Sequence, residues 1–137
     1  MKRNLNPILV AVILVGLVLT GAGSLSACGL LCDAGKYRDT VQPYVVQWHD
    51  AVELTFHTPR MALALQIKDL QKIRARVAAL QSQSCFSEDH KLLLQAMDYE
   101  IDGFNRFLAQ EPDATVTRLF DQSDEYMNKW SRSISKK

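Results

Sequence analysis

A helical repeat of apolar residues runs through the chain after Cys32, and it restricts the fold to the all-α class. The repeat falls into four segments, and in each the three- and four-residue spacing places one apolar stripe on one helix face. The stripes are Tyr37, Val41, Tyr44, Trp48, Ala51 and Thr55; Leu63, Ile67, Leu70, Ile73, Val77 and Leu80; Leu93, Met97, Ile101, Phe104 and Leu108; and Val116, Leu119, Ser123, Met127, Trp130 and Ile134. No alternation of apolar and polar residues lasts long enough to predict a strand.

Capping and breaking residues mark where these helices begin. Pro43 interrupts the first segment, so that helix either begins near Val41 or bends there. Thr58-Pro59-Arg60 predicts an N-cap followed by proline at the first helical position. Ser87 is the predicted cap of the third helix, and Pro112-Asp113 opens the fourth. Four helices of about 20 residues with short connections predict an antiparallel, up-down-up-down four-helix bundle.

The first part of the chain has a different composition, because residues 4–32 carry no charge. Lys2 and Arg3 precede an apolar run from Pro7 to Leu19, and small residues follow it. This order is typical of a secretory signal, which places the rest of the chain outside the cytoplasm. A transmembrane helix needs about 20 apolar residues, and the run is shorter. An uncleaved transmembrane anchor and cleavage without lipid remain the alternatives.

The end of that segment, Leu25-Ser26-Ala27-Cys28, resembles the lipobox of bacterial lipoproteins. In that family the cysteine thiol receives a diacylglycerol, the signal is cut before it, and the new amino group is acylated. The resemblance implies that Cys28 is the lipidated N-terminus of the mature protein. It divides the chain into a signal peptide (1–27), a short tether (28–35) and the bundle domain (36–137).

The residue after the cysteine bears on location. Gly29 stands there, and in that family the absence of aspartate at this position means no retention at the inner membrane of a cell that has two membranes. We therefore expect the protein to be anchored in the bacterial cell membrane or the outer membrane, with its domain on the extracytoplasmic side.

With Cys28 lipidated, Cys32 and Cys85 are the remaining cysteines in an oxidising compartment, and they predict one disulfide. The predicted topology agrees, because the start of the first helix and the connection between the second and third helices lie at the same end. That places the two cysteines close enough to bond.

Composition and motifs argue against most chemistries. Sixteen Lys and Arg against fifteen Asp and Glu give a net charge of +1, which is too balanced for charge-driven nucleic-acid binding. His49, His57 and His90 belong to no metal-binding motif, so no metal is expected. A nucleophile elbow and a glycine-rich phosphate loop are both lacking. We expect no cofactor and no enzymatic activity. An enzyme with an unrecognised site remains an alternative.

Charged residues on the predicted helices suggest a partner surface. The candidate contacts are Arg60 at the turn far from the anchor and, on the second helix, Lys68, Lys72 and Arg76. Asp98, Glu100 and Asp102 form an acidic stretch on the third helix, for which cross-helix ion pairs or plain solvation are the expected roles.

Aromatic residues suggest a second kind of site. The candidates for lining a cavity that holds a small apolar molecule are Tyr44, Trp48, Phe104, Phe107, Phe120 and Trp130, and above all Trp48 and Trp130. Aromatic residues at helical spacing more often belong to a core.

Several strings extend the family resemblance over the bundle. These are Trp48-His49-Asp50-Ala51, Thr58-Pro59-Arg60 and Leu70-Gln71-Lys72-Ile73-Arg74, with Cys85, Met97-Asp98, Phe104 and Phe107. Together they resemble uncharacterised bacterial lipoproteins or membrane-anchored exported proteins. The resemblance implies an anchored helical bundle and no particular activity. We expect a non-enzymatic interaction protein or accessory subunit of a membrane complex, and the alternative is a ligand-binding module for a small apolar molecule.

Overall fold

The four apolar stripes form four helices in a computed structural model of the chain, which describes residues 32–136. The helices are α1 (Ala34–Phe56), α2 (Leu63–Ala78), α3 (Ser87–Leu108) and α4 (Asp113–Ser135). Short 3₁₀ turns, Arg60–Ala62 and Ser84–Phe86, precede α2 and α3. Residues 32–136 contain no strand. The all-α prediction is therefore confirmed.

The first helix begins before Val41, near which one of the two predicted possibilities placed its start. Its N-cap is Asp33, whose carboxylate accepts a hydrogen bond from the backbone N–H of Lys36 at 3.0 Å. From Ala34 the helix continues through Pro43, so a start near Val41 is wrong. The missing N–H of Pro43 is tolerated because this part of the helix surface is exposed.

The predicted caps of the second and third helices are also wrong. The hydroxyl of Thr58 donates to the carbonyl of Leu54 at 2.7 Å, so it serves the last turn of α1 instead of the first turn of α2. Ser87 is the first residue of α3, and Phe86 occupies the cap position without a side-chain cap bond. Pro112 precedes the first residue of α4 as expected.

The core is assembled from all four stripes. Its largest fully buried apolar side chains are Val41, Leu63, Leu70, Val77, Phe86, Leu93 and Met97. Consecutive helices pack on one another, and residues of α4 such as Trp130 join the same cluster as residues of α1. Burial of these side chains is the main source of stability for a domain of this size.

The predicted disulfide is present, since Cys32 and Cys85 are both disulfide-bonded. The chain segments around them are also hydrogen-bonded, because the backbone N–H of Asp33 donates to Oε1 of Gln83 at 3.2 Å. Cys28, the lipobox and the signal segment lie outside the described residues. Between residues 32 and 136, none of the helices combines the length and the hydropathy that a membrane span requires.

Candidate functional site

Three phenylalanine rings form a cluster near the connection between α1 and α2. Phe56 lies at the end of α1, and its ring centroid is 4.9 Å from that of Phe104 and 5.3 Å from that of Phe120. The rings of Phe104 and Phe120 are 5.0 Å apart. Edge-to-face and tilted geometries of this kind are favourable beyond the area that they bury. The cluster joins α1, α3 and α4.

Gly103 allows the ring of Phe120 to lie directly against α3. A Cβ at position 103 would be 2.6 Å from Cε1 and 2.9 Å from Cδ1 of that ring. Both distances are below van der Waals contact, so only glycine permits this approach. The position of one wall of the site is thus fixed by the absence of a side chain.

An open cleft of about 390 Å³ lies beside this cluster. We call it the aromatic cleft, and its lining residues are Thr55, Phe56, Thr58, Pro59, Arg60, Leu63, Phe104, Phe107 and Phe120. Its volume falls in the range of small-molecule sites, roughly 300–1,000 Å³. Two of its rings face solvent, since Phe56 is 55% exposed and Phe107 is 37% exposed.

The charge in the aromatic cleft comes from Arg60. The guanidinium carbon lies 4.7 Å from the centroid of the Phe107 ring, a cation–π contact. The residues that line the cleft include no aspartate or glutamate. Among residues 32–136, no carboxylate approaches Arg60 within the 4.0 Å of an ion pair. The cleft is therefore apolar with one uncompensated positive charge.

A neighbouring cavity of about 300 Å³ has the opposite character. Trp48, Phe56 and Phe120 supply its aromatic walls, and Glu53, Glu100 and Asp124 supply carboxylates. We call it the acidic cavity. It contains Trp48 as predicted for a ligand cavity, whereas the other candidate, Trp130, donates from its indole N–H to the Tyr37 hydroxyl at 3.4 Å.

Glu100 differs from its predicted place on a solvated acidic face, because it is 8% exposed. Burial raises the pKa of its carboxyl group, the nearby charge of Asp124 raises it further, and a hydrogen bond with Ser123 opposes the shift. The sequence signal was its spacing, since Glu100 lies three residues after Met97 and four before Phe104 on the buried stripe.

The predicted basic surface lies on the outer face of α2. Leu65, Lys68, Lys72 and Arg76 are all exposed and follow one another at three- and four-residue spacing, so they share one face. Lys72 pairs with Asp69 at 2.7 Å within the same helix.

Arg60, the fourth candidate contact, has a different role from the three residues on α2, because its guanidinium covers Phe107 on α3.

Among residues 32–136, the prediction of cross-helix ion pairs holds for one pair. The guanidinium of Arg74 donates twice to the carboxylate of Asp98, at 2.8 Å each, and this contact raises the pKa of Arg74.

Sequence reasoning missed a buried polar network around His90. Its Nε2–H donates to the carbonyl of Val77 at 3.0 Å, and its Nδ1 lies 3.3 Å from the Tyr37 hydroxyl. Because the carbonyl can only accept, Nε2 carries a proton, and in the neutral ring that burial favours, Nδ1 accepts from Tyr37. Burial lowers the pKa of His90, although the bond to Val77 opposes this, and burial raises the pKa of Tyr37. All donors of this network are used within the fold.

In the part of the chain that the structure describes, no three His, Cys, Asp or Glu side chains are grouped as metal ligands. His49 and His57 are exposed, and His57 lies 3.1 Å from Glu53. Comparisons with protein-family models, with curated proteins and with solved structures return no significant match. The geometry of the surface and of the two cavities therefore carries the functional argument.

Proposed function

We propose that the protein is a membrane-anchored, extracytoplasmic helical bundle that acts as a non-enzymatic interaction protein or accessory subunit of a membrane complex. The observation that carries this proposal is the outer face of α2, where exposed apolar and basic side chains adjoin. Met61 in the preceding 3₁₀ turn is fully exposed, and Leu65 is 69% exposed. Apolar side chains left in water beside charged ones are typical of protein-binding surfaces.

The charge on this face selects the partner. Lys68 and Arg76 have no ion pair among residues 32–136, so their charges are available to a bound surface. A partner that presents apolar side chains next to carboxylates would cover Leu65 and pair with both cations. We therefore infer an acidic, partly apolar surface on the extracytoplasmic side of a membrane protein.

The proposed arrangement of the helices is an antiparallel up-down-up-down bundle. Contacts between α3 and α4 support it, because Asp89 bonds Ser133 near one end while Phe104 meets Phe120 near the other. In this arrangement the connection between α1 and α2 is at the opposite end from Asp33, where the chain enters α1. Met61 would then be at the tip away from the entering chain.

The proposed anchor is a lipid on Cys28, and the proposed location is the bacterial cell membrane or outer membrane. The lipobox resemblance supports the lipid, and the disulfide between Cys32 and Cys85 is consistent with an oxidising compartment. The mass of the N-terminal peptide distinguishes the alternatives. An acylated Cys28 indicates a lipoprotein, and a peptide that retains Lys2 and Arg3 indicates a transmembrane anchor.

The experiment is a native purification from the protein's own membranes in mild detergent, after chemical crosslinking. The full chain carries a C-terminal tag, and the retained proteins are quantified by mass spectrometry. The double substitution Lys68→Glu, Arg76→Glu should remove a stoichiometric membrane partner. The control Arg118→Glu, Arg132→Glu reverses two exposed arginines of α4 and should retain it. Equal recovery with both variants would refute the α2 surface, and recovery of the wild-type chain alone would refute the accessory role.

The aromatic walls of the acidic cavity favour the second candidate, a ligand-binding module that holds a small apolar molecule between helices. Trp48 forms part of its wall, so an occupant would lie against the indole ring. Addition of a membrane lipid extract should then quench Trp48 fluorescence in a Trp130→Phe variant. A spectrum that does not change on addition of the extract would exclude this candidate.

A further inference from the structure

We infer that the aromatic cleft binds a small amphiphile with an apolar tail and a single carboxylate, and that Arg60 holds the carboxylate. This goes beyond the proposed partner surface and involves other residues. It also differs from the second candidate, since the ligand class and the cavity are not the same.

The walls of the cleft favour an apolar tail. Phe56 and Phe107 expose a large part of their rings to solvent, although both belong to a ring-lined recess and not to a flat surface. Covering these rings removes apolar area from water on both the protein and the ligand. Since Phe104 and Phe120 already fix the floor of the recess, the tail binds without reordering the core. The volume of about 390 Å³ is near the lower limit for small-molecule sites, which favours a short tail.

The polar groups of the cleft favour an anionic head. The hydroxyls of Thr55 and Thr58 donate to the carbonyls of Ala51 and Leu54, so their protons are already used. Arg60 is the remaining side-chain donor among the lining residues, and its guanidinium plane can bind a carboxylate through two parallel N–H bonds. Its contact with Phe107 limits the freedom that it would lose on binding. One guanidinium without a competing carboxylate matches one negative charge.

The adjoining acidic cavity fixes the orientation of the ligand. The two cavities share Phe56 and Phe120, but Glu53, Glu100 and Asp124 are found in the acidic cavity alone. These residues disfavour an anionic head on that side of the shared rings. The head is therefore at Arg60, and the tail lies over the shared rings.

The test uses the full chain in nanodiscs of zwitterionic lipid and a decanoate analogue with a diazirine at the end of its tail. After irradiation, labelled peptides are identified by mass spectrometry. Label should concentrate in residues 54–63 and 103–120, and unlabelled decanoate should compete with it. Decanol and decyltrimethylammonium have the same tail without the negative charge and should compete roughly tenfold more weakly or worse.

Variants separate the role of Arg60 from effects on folding. Arg60→Gln should lower labelling by the diazirine analogue of decanoate about tenfold or more, and Arg60→Lys should recover part of the labelling. Arg118→Gln removes an exposed arginine elsewhere and should leave labelling unchanged. Circular dichroism melting curves that match the wild type show that the Arg60 variants are folded.

Three results would overturn the inference. Label spread over the chain, or unchanged by Arg60→Gln, would mean that the tail partitions without a site. Equal competition by decyltrimethylammonium would mean that charge plays no part. Unlabelled cleft peptides together with a native mass of two chains would mean that a second copy covers the cleft. The Arg60 variants leave Lys68 and Arg76 unchanged. The test of this cleft and the test of the proposed partner surface can therefore fail independently of each other.

Discussion

The hydroxyl of Tyr37 on α1 lies 3.3 Å from Nδ1 of His90 on α3, and both side chains are buried. Trp130 of α4 donates to the same hydroxyl, and Nε2–H of His90 donates to Val77 of α2. One polar chain thus connects all four helices inside the core. Because each group has a partner, the network specifies a particular alignment of the helices at little energetic cost.

The first prediction concerns the stability of the fold in acid. The folded protein holds His90 with a pKa below its ordinary value of 6.5, so the unfolded chain binds the proton more readily. The contribution of His90 is fully present above about pH 6.5 and is lost as the pH falls from there through the folded pKa. The free energy of unfolding should therefore decrease on acidification, by at most about 1.4 kcal/mol per pH unit from this group. Guanidinium unfolding between pH 7.5 and pH 5 measures it.

Two variants show whether His90 is the group responsible. His90→Leu should be less stable at every pH because Tyr37 loses its acceptor, but its stability should vary less over this range. His49→Gln replaces an exposed histidine and is the matched control. A His90→Leu curve with the full wild-type slope would show that another group titrates.

The second prediction is that Glu100→Gln stabilises the protein at neutral pH. Burial raises the pKa of Glu100, so the folded state favours its protonated form and the charged form costs stability. The cost begins as the pH rises above the ordinary value of 4.5 and is complete above the folded pKa. Glutamine keeps the shape without the charge, and we expect a gain of about 1 kcal/mol at pH 7.5.

The gain of Glu100→Gln should become much smaller in unfolding measurements at pH 4, below the ordinary value of 4.5, where the wild-type carboxyl group is mostly protonated in both states. The matched control is Asp121→Asn on α4, an exposed carboxylate whose removal should change stability by less than about 0.5 kcal/mol. A loss of stability in Glu100→Gln at neutral pH would mean that the buried charge is compensated.

The apolar spacing was sufficient to predict four helices, since the stripes of period 3.6 are long and have no competing strand pattern. The disulfide was predictable because two cysteines remained once the lipobox cysteine was assigned. The start of α2 was not, because Thr58 bonds backward to Leu54, a choice that depends on the geometry of the turn.

The buried polar residues were assigned by type and not by position. His90 continues the stripe of Leu93 and Met97, and Glu100 lies within it, so the spacing indicated burial for both. The polar residue types argued for exposure instead. The tertiary contacts of the folded chain determine that both side chains are buried. Phe104, Phe107 and Phe120 were among the predicted cavity residues and do line the aromatic cleft. The place where they meet Phe56 could not be predicted, because the rings come from three helices.

The third prediction is that Gly103→Ala destabilises the protein although alanine is the better helix former. The helix gains roughly 1 kcal/mol from alanine. The new Cβ would overlap the Phe120 ring, and displacing the ring disrupts its contacts with Phe56 and Phe104. Overpacking of this kind costs about 1–3 kcal/mol, so we expect a net loss of about 1 kcal/mol in thermal or chemical unfolding.

The overlap can be tested by removing the ring. In a Phe120→Leu background, Gly103→Ala should be neutral or stabilising, because the crowded atoms are gone. Asn105→Ala, at an exposed position of α3, should change stability by less than about 0.5 kcal/mol. A destabilisation by Gly103→Ala that persists without the ring would place its cause in the backbone.

The fourth prediction concerns the disulfide between Cys32 and Cys85. The bond closes a loop of about 50 residues that includes α1 and α2, so it restricts the unfolded chain strongly. Reduction, or the double substitution Cys32→Ser, Cys85→Ser, should lower the free energy of unfolding by about 2–4 kcal/mol. Guanidinium unfolding with and without a reductant measures this difference.

The reductant should have no effect on the double serine variant, which separates loss of the bond from other effects of the reagent. The loss of stability on reduction should also appear mainly as a lower guanidinium concentration at the midpoint of unfolding. The reason is that the folded bundle keeps the bond from Asp33 to Gln83 and the buried core of all four helices. If the reduced protein has the same midpoint as the oxidised protein, the unfolded chain gains no freedom from reduction. The disulfide would then add nothing to the free energy of unfolding, and the stability of the bundle would depend on its core alone.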